Sequence, residues 1–304
     1  MEKAKRVVWR LLAASVCVMA VSQAVHADSL DEQRNRYAQI KQAWDNKQMD
    51  TVQALMPTLK DYPLYPYLEY RQITDDLMNQ PTVTVNNFIQ ANPTLPPARN
   101  LQSRFVNELA RREDWRGLLA FSPEKPNTTE AQCNYYYAKW ATGQQEEAWA
   151  GAKELWLTGK NQPNACDSLF GAWRASGKQD PLSYLERIRL AMKAGNTRLV
   201  TALAGQMPSD YQTISTAVIS LANDPNSVLT FARSTGATDF TRQMAAVAFA
   251  SVARDDVENA RLMIPQLVQA QQLNEEQTQE LRDIVAWRLM GTDVTDEQAR
   301  WRDD

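Results

Sequence analysis

The chain has 304 residues, a formal net charge of −3 at neutral pH and only ten glycines. Such a mildly acidic chain has no positive field that would attract nucleic acid or an anionic membrane surface. The low glycine content argues against glycine-rich phosphate loops and against a β-sandwich with many turns. Since no G-x-G-x-x-G, P-loop or G-x-S-x-G motif occurs, dinucleotide-binding, P-loop and α/β-hydrolase functions are not indicated.

Residues 1–27 have the features of a cleaved secretory signal. Four basic side chains precede an apolar run from residue 11 to residue 21, and Val25-His26-Ala27 places small residues at a cleavage site before Asp28. The run is about half the length needed to cross a bilayer, which makes an uncleaved anchor the weaker alternative. Cys17 follows Val16, which does not favour a lipid anchor. We therefore predict an exported protein that keeps no membrane anchor after cleavage.

The only histidine, His26, would leave with this signal. The mature chain would then lack Ser-His-Asp or Cys-His catalysis and histidine metal ligands, leaving carboxylates as the acid and base groups. Adjacent acidic pairs do not share a helix face, and their expected role is solvated faces and turns. They occur at residues 75–76, 146–147, 255–256 and 275–276. The sequence thus predicts no catalytic residue, no cofactor-binding residue and no metal site.

Two cysteines, Cys133 and Cys166, remain after cleavage. An even number of cysteines in an oxidising compartment favours a disulfide, which would close a loop of about 32 residues. The chain-entropy model assigns such a bond roughly 3–4 kcal/mol. Two buried free thiols are the alternative, and a metal site would lack enough further ligands.

The dominant pattern is that of short amphipathic helices paired across polar turns. Tyr37, Ile40 and Trp44 fall on one face of the first helix, for example. The expected turn centres are Asp45, Glu113, Gly143, Gly195 and Asp255, most of them separated by about one or two units of 30–34 residues. The pattern predicts an all-α fold of stacked helical hairpins that form an α-superhelix. The β-like stretch 82–85 is expected to lead into a helix.

Two further features bear on function and on the chain end. Tyrosines at 62, 65, 67 and 70 and the run 135–137 suit either carbohydrate stacking or hairpin packing, with packing the favoured role. Near the end, Thr295 and Gln298 have the spacing of a capping box. The helix that they would start has fewer than three turns before Asp304, and we expect the architecture to be interrupted there.

Several segments resemble the amino-terminal region of the soluble lytic murein transglycosylases of the Gram-negative periplasm. They are Ser29 to Gln33, Trp44-Asp45-Asn46, Asp61 to Tyr70, Asn92 to Pro97 and the Cys133–Cys166 interval. The resemblance implies a superhelical domain over residues 28–304, followed in the family by a linker and a lysozyme-like catalytic domain. It also implies peptidoglycan glycan strands as the partner of the parent enzyme, which cleaves MurNAc-β-1,4-GlcNAc bonds to 1,6-anhydro products.

The family's catalytic Glu-Ser and Gly-Leu-Met-Gln segments are absent from this chain. We therefore expect a non-catalytic scaffold portion of such an enzyme, inactive alone. The alternative is a free-standing periplasmic helical-repeat module that binds proteins.

Overall fold

The computed structural model describes residues 29–291 and 293–304. Throughout these two ranges the chain forms helices, short 3₁₀ turns and connections, and no strand. No helix in this part of the chain combines the length and apolar character needed to cross a membrane. The predicted signal, with His26 and Cys17, lies outside the described residues.

The chain divides between Phe105 and Val106 into two compact units. The smaller unit contains α1 (29–45), α2 (Met49–Leu55), α3 (Tyr65–Asp75) and α4 (Thr82–Ala91), and the division falls within α5 (Pro96–Arg111). The larger unit contains α6 (Trp115–Phe121), α7 (Thr129–Ala141), α8 (Gln145–Trp156), α9 (Ala165–Ala175), α10 (Leu182–Lys193), α11 (Thr197–Gly205), α12 (Gln212–Asn223), α13 (Val228–Ser234), α14 (Asp239–Asp255), α15 (Val257–Gln271), α16 (Glu275–Leu289) and α17 (Asp296–Asp303).

The smaller unit packs around the apolar face predicted for α1. Ile40 and Trp44 are buried with residues of α2 and α3, while Tyr37 lies at the edge of this cluster. The indole nitrogen of Trp44 donates a hydrogen bond to Asp75 at 2.7 Å, which ties α1 to the end of α3. The β-like stretch 82–85 is the first turn of α4, and Val85 is fully buried there. The helix expected at that position is confirmed.

In the larger unit, helices that follow one another in sequence pack against one another. Examples are α7 on α8, α10 on α11, α11 on α12, α14 on α15 and α15 on α16. Glu113, Gly143 and Gly195 adopt left-handed backbone angles at three of the predicted turn centres, with φ of 55°, 90° and 72°. The predicted all-α class and the stacking of hairpins are thus confirmed.

Two local features link neighbouring helices in this unit. Cys133 of α7 and Cys166 of α9 form a disulfide, joining the two cysteines that the sequence paired. The predicted capping box is also present: the Thr295 hydroxyl accepts from the amide of Gln298, whose side chain accepts from the amide of Thr295. The side chain of Gln298 also donates to Glu258 at 2.9 Å, so α17 is tied to α15.

Candidate functional site

Four aromatic side chains of the larger unit form a continuous series across three helices. Trp115 of α6 lies edge-on to Tyr137 of α7, with ring centroids 4.8 Å apart. Tyr137 lies 5.1 Å from Trp140, and Trp140 lies 6.5 Å from Trp149 of α8. We call Trp115, Tyr137, Trp140 and Trp149 the aromatic row. All four are partly exposed, and Tyr137 and Trp149 also pack against the core of the larger unit.

A helix cap, a three-residue spacing and a turn place these rings side by side. Asp114 caps α6 by accepting from the amide of Gly117 at 3.0 Å, which fixes Trp115 as the first residue of that helix. Tyr137 and Trp140 are three residues apart and therefore share a face of α7. The left-handed turn at Gly143 then returns the chain, so that Trp149 of α8 comes to lie beside Trp140.

A polar cavity of about 330 Å³ adjoins the Trp115 end of the row. Its lining includes Asn107, Asn134 and both Trp115 and Tyr137. The amide of Asn134 donates to the side-chain oxygen of Asn107 at 2.9 Å, so each amide keeps further donor or acceptor capacity. Amides beside aromatic faces match the polar rim and apolar face of a sugar ring. The lining therefore has the chemical character that suits a sugar ring.

A charged cluster on α5 lies next to this cavity. Glu108 is almost completely buried and pairs with Arg111 at 2.6 Å and with Arg112 at 3.1 Å. The hydrogen bonds from Arg111, supported by Arg112, hold the pKa of Glu108 below its usual value although burial opposes this. Glu108 is therefore an ionised structural anchor for Arg111, which lines the cavity.

The tyrosine run 135–137 serves two purposes, which the sequence left open. Tyr135 is buried, and its hydroxyl donates to the carbonyl of Pro123 at 3.3 Å. Tyr136 packs edge-on against Tyr135 and lies directly over Gly151 of α8. Only Tyr137 contributes to the aromatic row. The predicted packing role thus holds for all three, since Tyr137 also packs against the core of the larger unit.

The tyrosines of the smaller unit do not form one surface. Tyr62 is buried and lies 5.4 Å from the ring of Tyr37. Tyr70 packs near Phe88, whereas Tyr67 is exposed. Trp115, Trp140 and Trp149 were not predicted from the sequence as site residues. The three-residue spacing of Tyr137 and Trp140 followed by a turn was the signal that could have predicted a shared face.

Among the described residues, Glu69 of α3 is the carboxylate with a raised pKa, and burial is the cause. Glu69 is partly buried, and the sequence did not predict this burial. Leu68 and Tyr70 on either side were the available signal. No cluster of three or more His, Cys, Asp or Glu side chains suited to a metal ion occurs in the described part of the chain.

Comparisons with known proteins agree with the resemblance found in the sequence. The chain is 84% identical over all 304 residues to the soluble lytic murein transglycosylase of Escherichia coli (strain K12). The resemblance to the soluble lytic murein transglycosylases is confirmed along the whole chain. The chain spans 47% of that relative's length and corresponds to an amino-terminal portion of it. No protein-family model matches the chain.

Solved structures give the same result for the fold. The crystal structure of the 70-kDa soluble lytic transglycosylase from Escherichia coli matches with a TM-score of 0.88 at 86% identity, over 90% of this chain and 44% of that one. An inactive mutant of the lytic transglycosylase Slt from Pseudomonas aeruginosa matches with a TM-score of 0.71 at 29% identity, over 84% of this chain and 41% of that one. The helical arrangement is therefore shared with lytic transglycosylases.

Proposed function

We propose that this chain is the scaffold portion of a periplasmic soluble lytic murein transglycosylase and that its aromatic row contacts the glycan strands of peptidoglycan. The observation that carries the proposal is the 84% identity, over the full length of this chain, to a soluble lytic murein transglycosylase. The role of the parent enzyme, cleavage of MurNAc-β-1,4-GlcNAc bonds to 1,6-anhydro products, is part of this proposal.

The geometry of the aromatic row supports glycan contact. Its rings follow one another at 4.8 to 6.5 Å between centroids. Because tryptophan and tyrosine combine an apolar face with a polar rim, such a series can hold sugar rings without fixing one register. The amides of Asn107 and Asn134 supply hydrogen-bond groups at one end. Weak contact that allows a strand to move suits a scaffold for a polymeric substrate.

A periplasmic location fits the covalent chemistry of the chain. The Cys133–Cys166 disulfide needs an oxidising compartment, and residues 1–27 have the composition of an export signal. Both features favour export.

We further propose that this polypeptide alone does not cleave murein. Glycoside cleavage needs a carboxylic acid of raised pKa held against the scissile oxygen. Glu69 has a raised pKa, yet its sequence context is Leu-Glu-Tyr instead of the Glu-Ser of the family. Purified murein incubated with the chain should release no anhydromuropeptide above a heat-killed control in chromatography. Product that disappears in the Glu69→Gln variant would instead assign catalysis to Glu69.

A second candidate function is protein binding, the role of the alternative helical-repeat module. Trp287 and Met290 near the end of α16 are 73% and 68% exposed, and large apolar side chains at a surface favour contact with another protein. Cell-wall synthesis or lytic proteins are the candidate partners. If this is the main role, Trp287→Ser should abolish capture of a periplasmic protein while murein binding is absent from the unmodified chain.

A further inference from the structure

A second cavity in the larger unit is lined in part by a buried arginine. It measures about 540 Å³ and lies where α9, α10 and α11 meet the connection between α8 and α9. Its lining includes Trp156, Asn161, Gln162, Asp167, Arg174 and Arg187. Arg187, on α10, is only 4% exposed although it lines this cavity. A buried guanidinium is costly unless its charge and its donors are matched.

The donors of Arg187 are poorly matched by the protein. Nη2 donates to the carbonyl of Lys160 at 3.3 Å, while Nε is buried and has no acceptor among the described residues. The ring of Trp156 lies 4.5 Å from the guanidinium carbon, and that of Phe170 lies 5.7 Å away. These rings cover the faces of the guanidinium but accept no in-plane hydrogen bond. The guanidinium beside the cavity thus keeps donor capacity that the protein does not satisfy.

The charged groups around the cavity leave a net positive charge. Arg174 and Asp167, both of α9, line it with Arg187, giving two guanidinium groups and one carboxylate. Asp167 is exposed and forms no ion pair with Arg187 within 4.0 Å in the described structure. One further negative charge would balance the site.

We propose that this cavity binds the terminal carboxylate of a short peptide, with Arg187 as the carboxylate-binding residue. A carboxylate matches the planar guanidinium edge and carries the single charge that the lining leaves unbalanced. A phosphate would bring close to two charges against a net of one. This site shares no residue with the aromatic row, and the proposal goes beyond the proposed glycan contact.

The amide side chains of the lining favour a peptide over a simple acid. The Gln162 amide donates to the carbonyl of Leu155, which leaves its oxygen free to accept. The oxygen of Asn161 accepts from Asn196 at 3.2 Å, which leaves its NH₂ free to donate. One free acceptor and one free donor complement the N–H and C=O of a peptide bond. The cavity volume also exceeds what a lone carboxylate fills.

Calorimetric titration of the full chain with N-acetyl-Ala-Ala, which carries one negative charge, and with its neutral C-terminal amide tests the assignment. The acid should bind and the amide should bind about tenfold more weakly or not at all, because charge-assisted hydrogen bonds are lost. Arg187→Met should remove binding of the acid. Arg189→Met is the matched control, since Arg189 lies on the same helix outside the lining, and it should leave affinity unchanged. Separate titrations with the D,D and the L,L isomer of the dipeptide distinguish a cell-wall peptide from the C-terminus of an ordinary protein.

A variant that is expected to strengthen binding keeps the test informative even if Arg187→Met does not fold. Asp167→Asn removes the carboxylate that opposes the ligand and lies on an exposed position, so it should fold and bind the acid several-fold more tightly. Equal affinity for acid and amide would overturn the proposal, as would preference for inorganic phosphate. Unchanged or weaker binding in Asp167→Asn would also overturn it, even if Arg187→Met fails to fold. None of these results bears on glycan binding by the aromatic row.

Discussion

The hydroxyl of Thr241 donates a hydrogen bond to the side-chain oxygen of Gln271 at 2.8 Å, joining α14 to α15. Gln271 is completely buried, and its NH₂ group donates to the carbonyl of Ala232 in α13 at 2.8 Å. A single amide therefore satisfies polar groups on two neighbouring helices. Because buried polar groups without partners are costly, this contact fixes how three helices pack.

Gln271→Leu should lower the free energy of unfolding by about 1–3 kcal/mol, chiefly because the Ala232 carbonyl loses its side-chain donor. The Thr241 hydroxyl keeps the carbonyl of Gly236 as an acceptor at 2.7 Å. Gln243→Leu, at an exposed position of α14, should change it by less than about 0.5 kcal/mol. Urea unfolding followed by circular dichroism measures both. Equal effects of the two substitutions would show that the buried amide has no special role.

Gly151 is required by the close approach of Tyr136. A Cβ at this position would collide with the tyrosine ring, whereas a Cβ at Gly171, inside α9, would meet nothing within 4 Å. Gly151→Ala should therefore destabilise the protein by about 1–3 kcal/mol through overpacking. Gly171→Ala should stabilise it by up to about 1 kcal/mol because alanine favours the helix. Thermal unfolding of the two variants should shift in opposite directions.

The disulfide joins residues 33 positions apart in the sequence. Replacing both Cys133 and Cys166 by alanine should lower the free energy of unfolding by roughly 3–4 kcal/mol, the chain-entropy value for such a loop. Denaturant unfolding of the oxidised protein and of the double variant measures the difference. Mass spectrometry after alkylation without reductant provides the control, since two alkylated thiols would mean that no disulfide forms in the mature protein.

Glu108 gives the fold a defined pH dependence. Its pKa in the folded protein lies below the ordinary value of 4.5, because Arg111 and Arg112 favour the carboxylate. The stability that this carboxylate contributes is therefore present above the ordinary pKa and is lost as the pH falls through the lower, folded value. Glu108→Gln should cost about 1 kcal/mol at neutral pH, a modest value because Arg111 is largely exposed.

The difference between Glu108→Gln and the unmodified protein should shrink when unfolding is repeated at pH values below 4.5. Glu186→Gln, the same substitution at an exposed position of α10, is the control measured alongside. A cost for Glu108→Gln that stays constant down to low pH would contradict the ion-pair explanation.

The sequence predicted the helices well because their signals are local. Ile40 and Trp44 lie on the face that their spacing indicated, and Gly143 and Gly195 occupy left-handed turns where short polar segments interrupt apolar periodicity. The two cysteines could also be paired, since no third cysteine competes after the expected cleavage. Such features depend on residues that are close in sequence or on simple counting.

The candidate sites depend on approaches between helices that spacing alone does not determine. Tyr136 and Tyr137 are neighbours in sequence, yet one packs over Gly151 and the other lies beside Trp115. The burial of Arg187 between Trp156 and Phe170 likewise results from how α8, α9 and α10 pack. Single-sequence periodicity identifies an apolar face but does not specify which side chain on the next helix meets it.

Equilibrium binding of soluble, purified murein glycan strands tests the central claim most directly. The unmodified chain should bind, and the Trp115→Leu/Tyr137→Leu double variant should bind about tenfold more weakly, since two stacking faces are lost. Trp287→Leu, which removes an exposed tryptophan outside the aromatic row, should bind like the unmodified chain. Circular dichroism should confirm that all three proteins are folded. Equal affinities for the double variant and the unmodified chain, or no binding by the unmodified chain, would contradict the account.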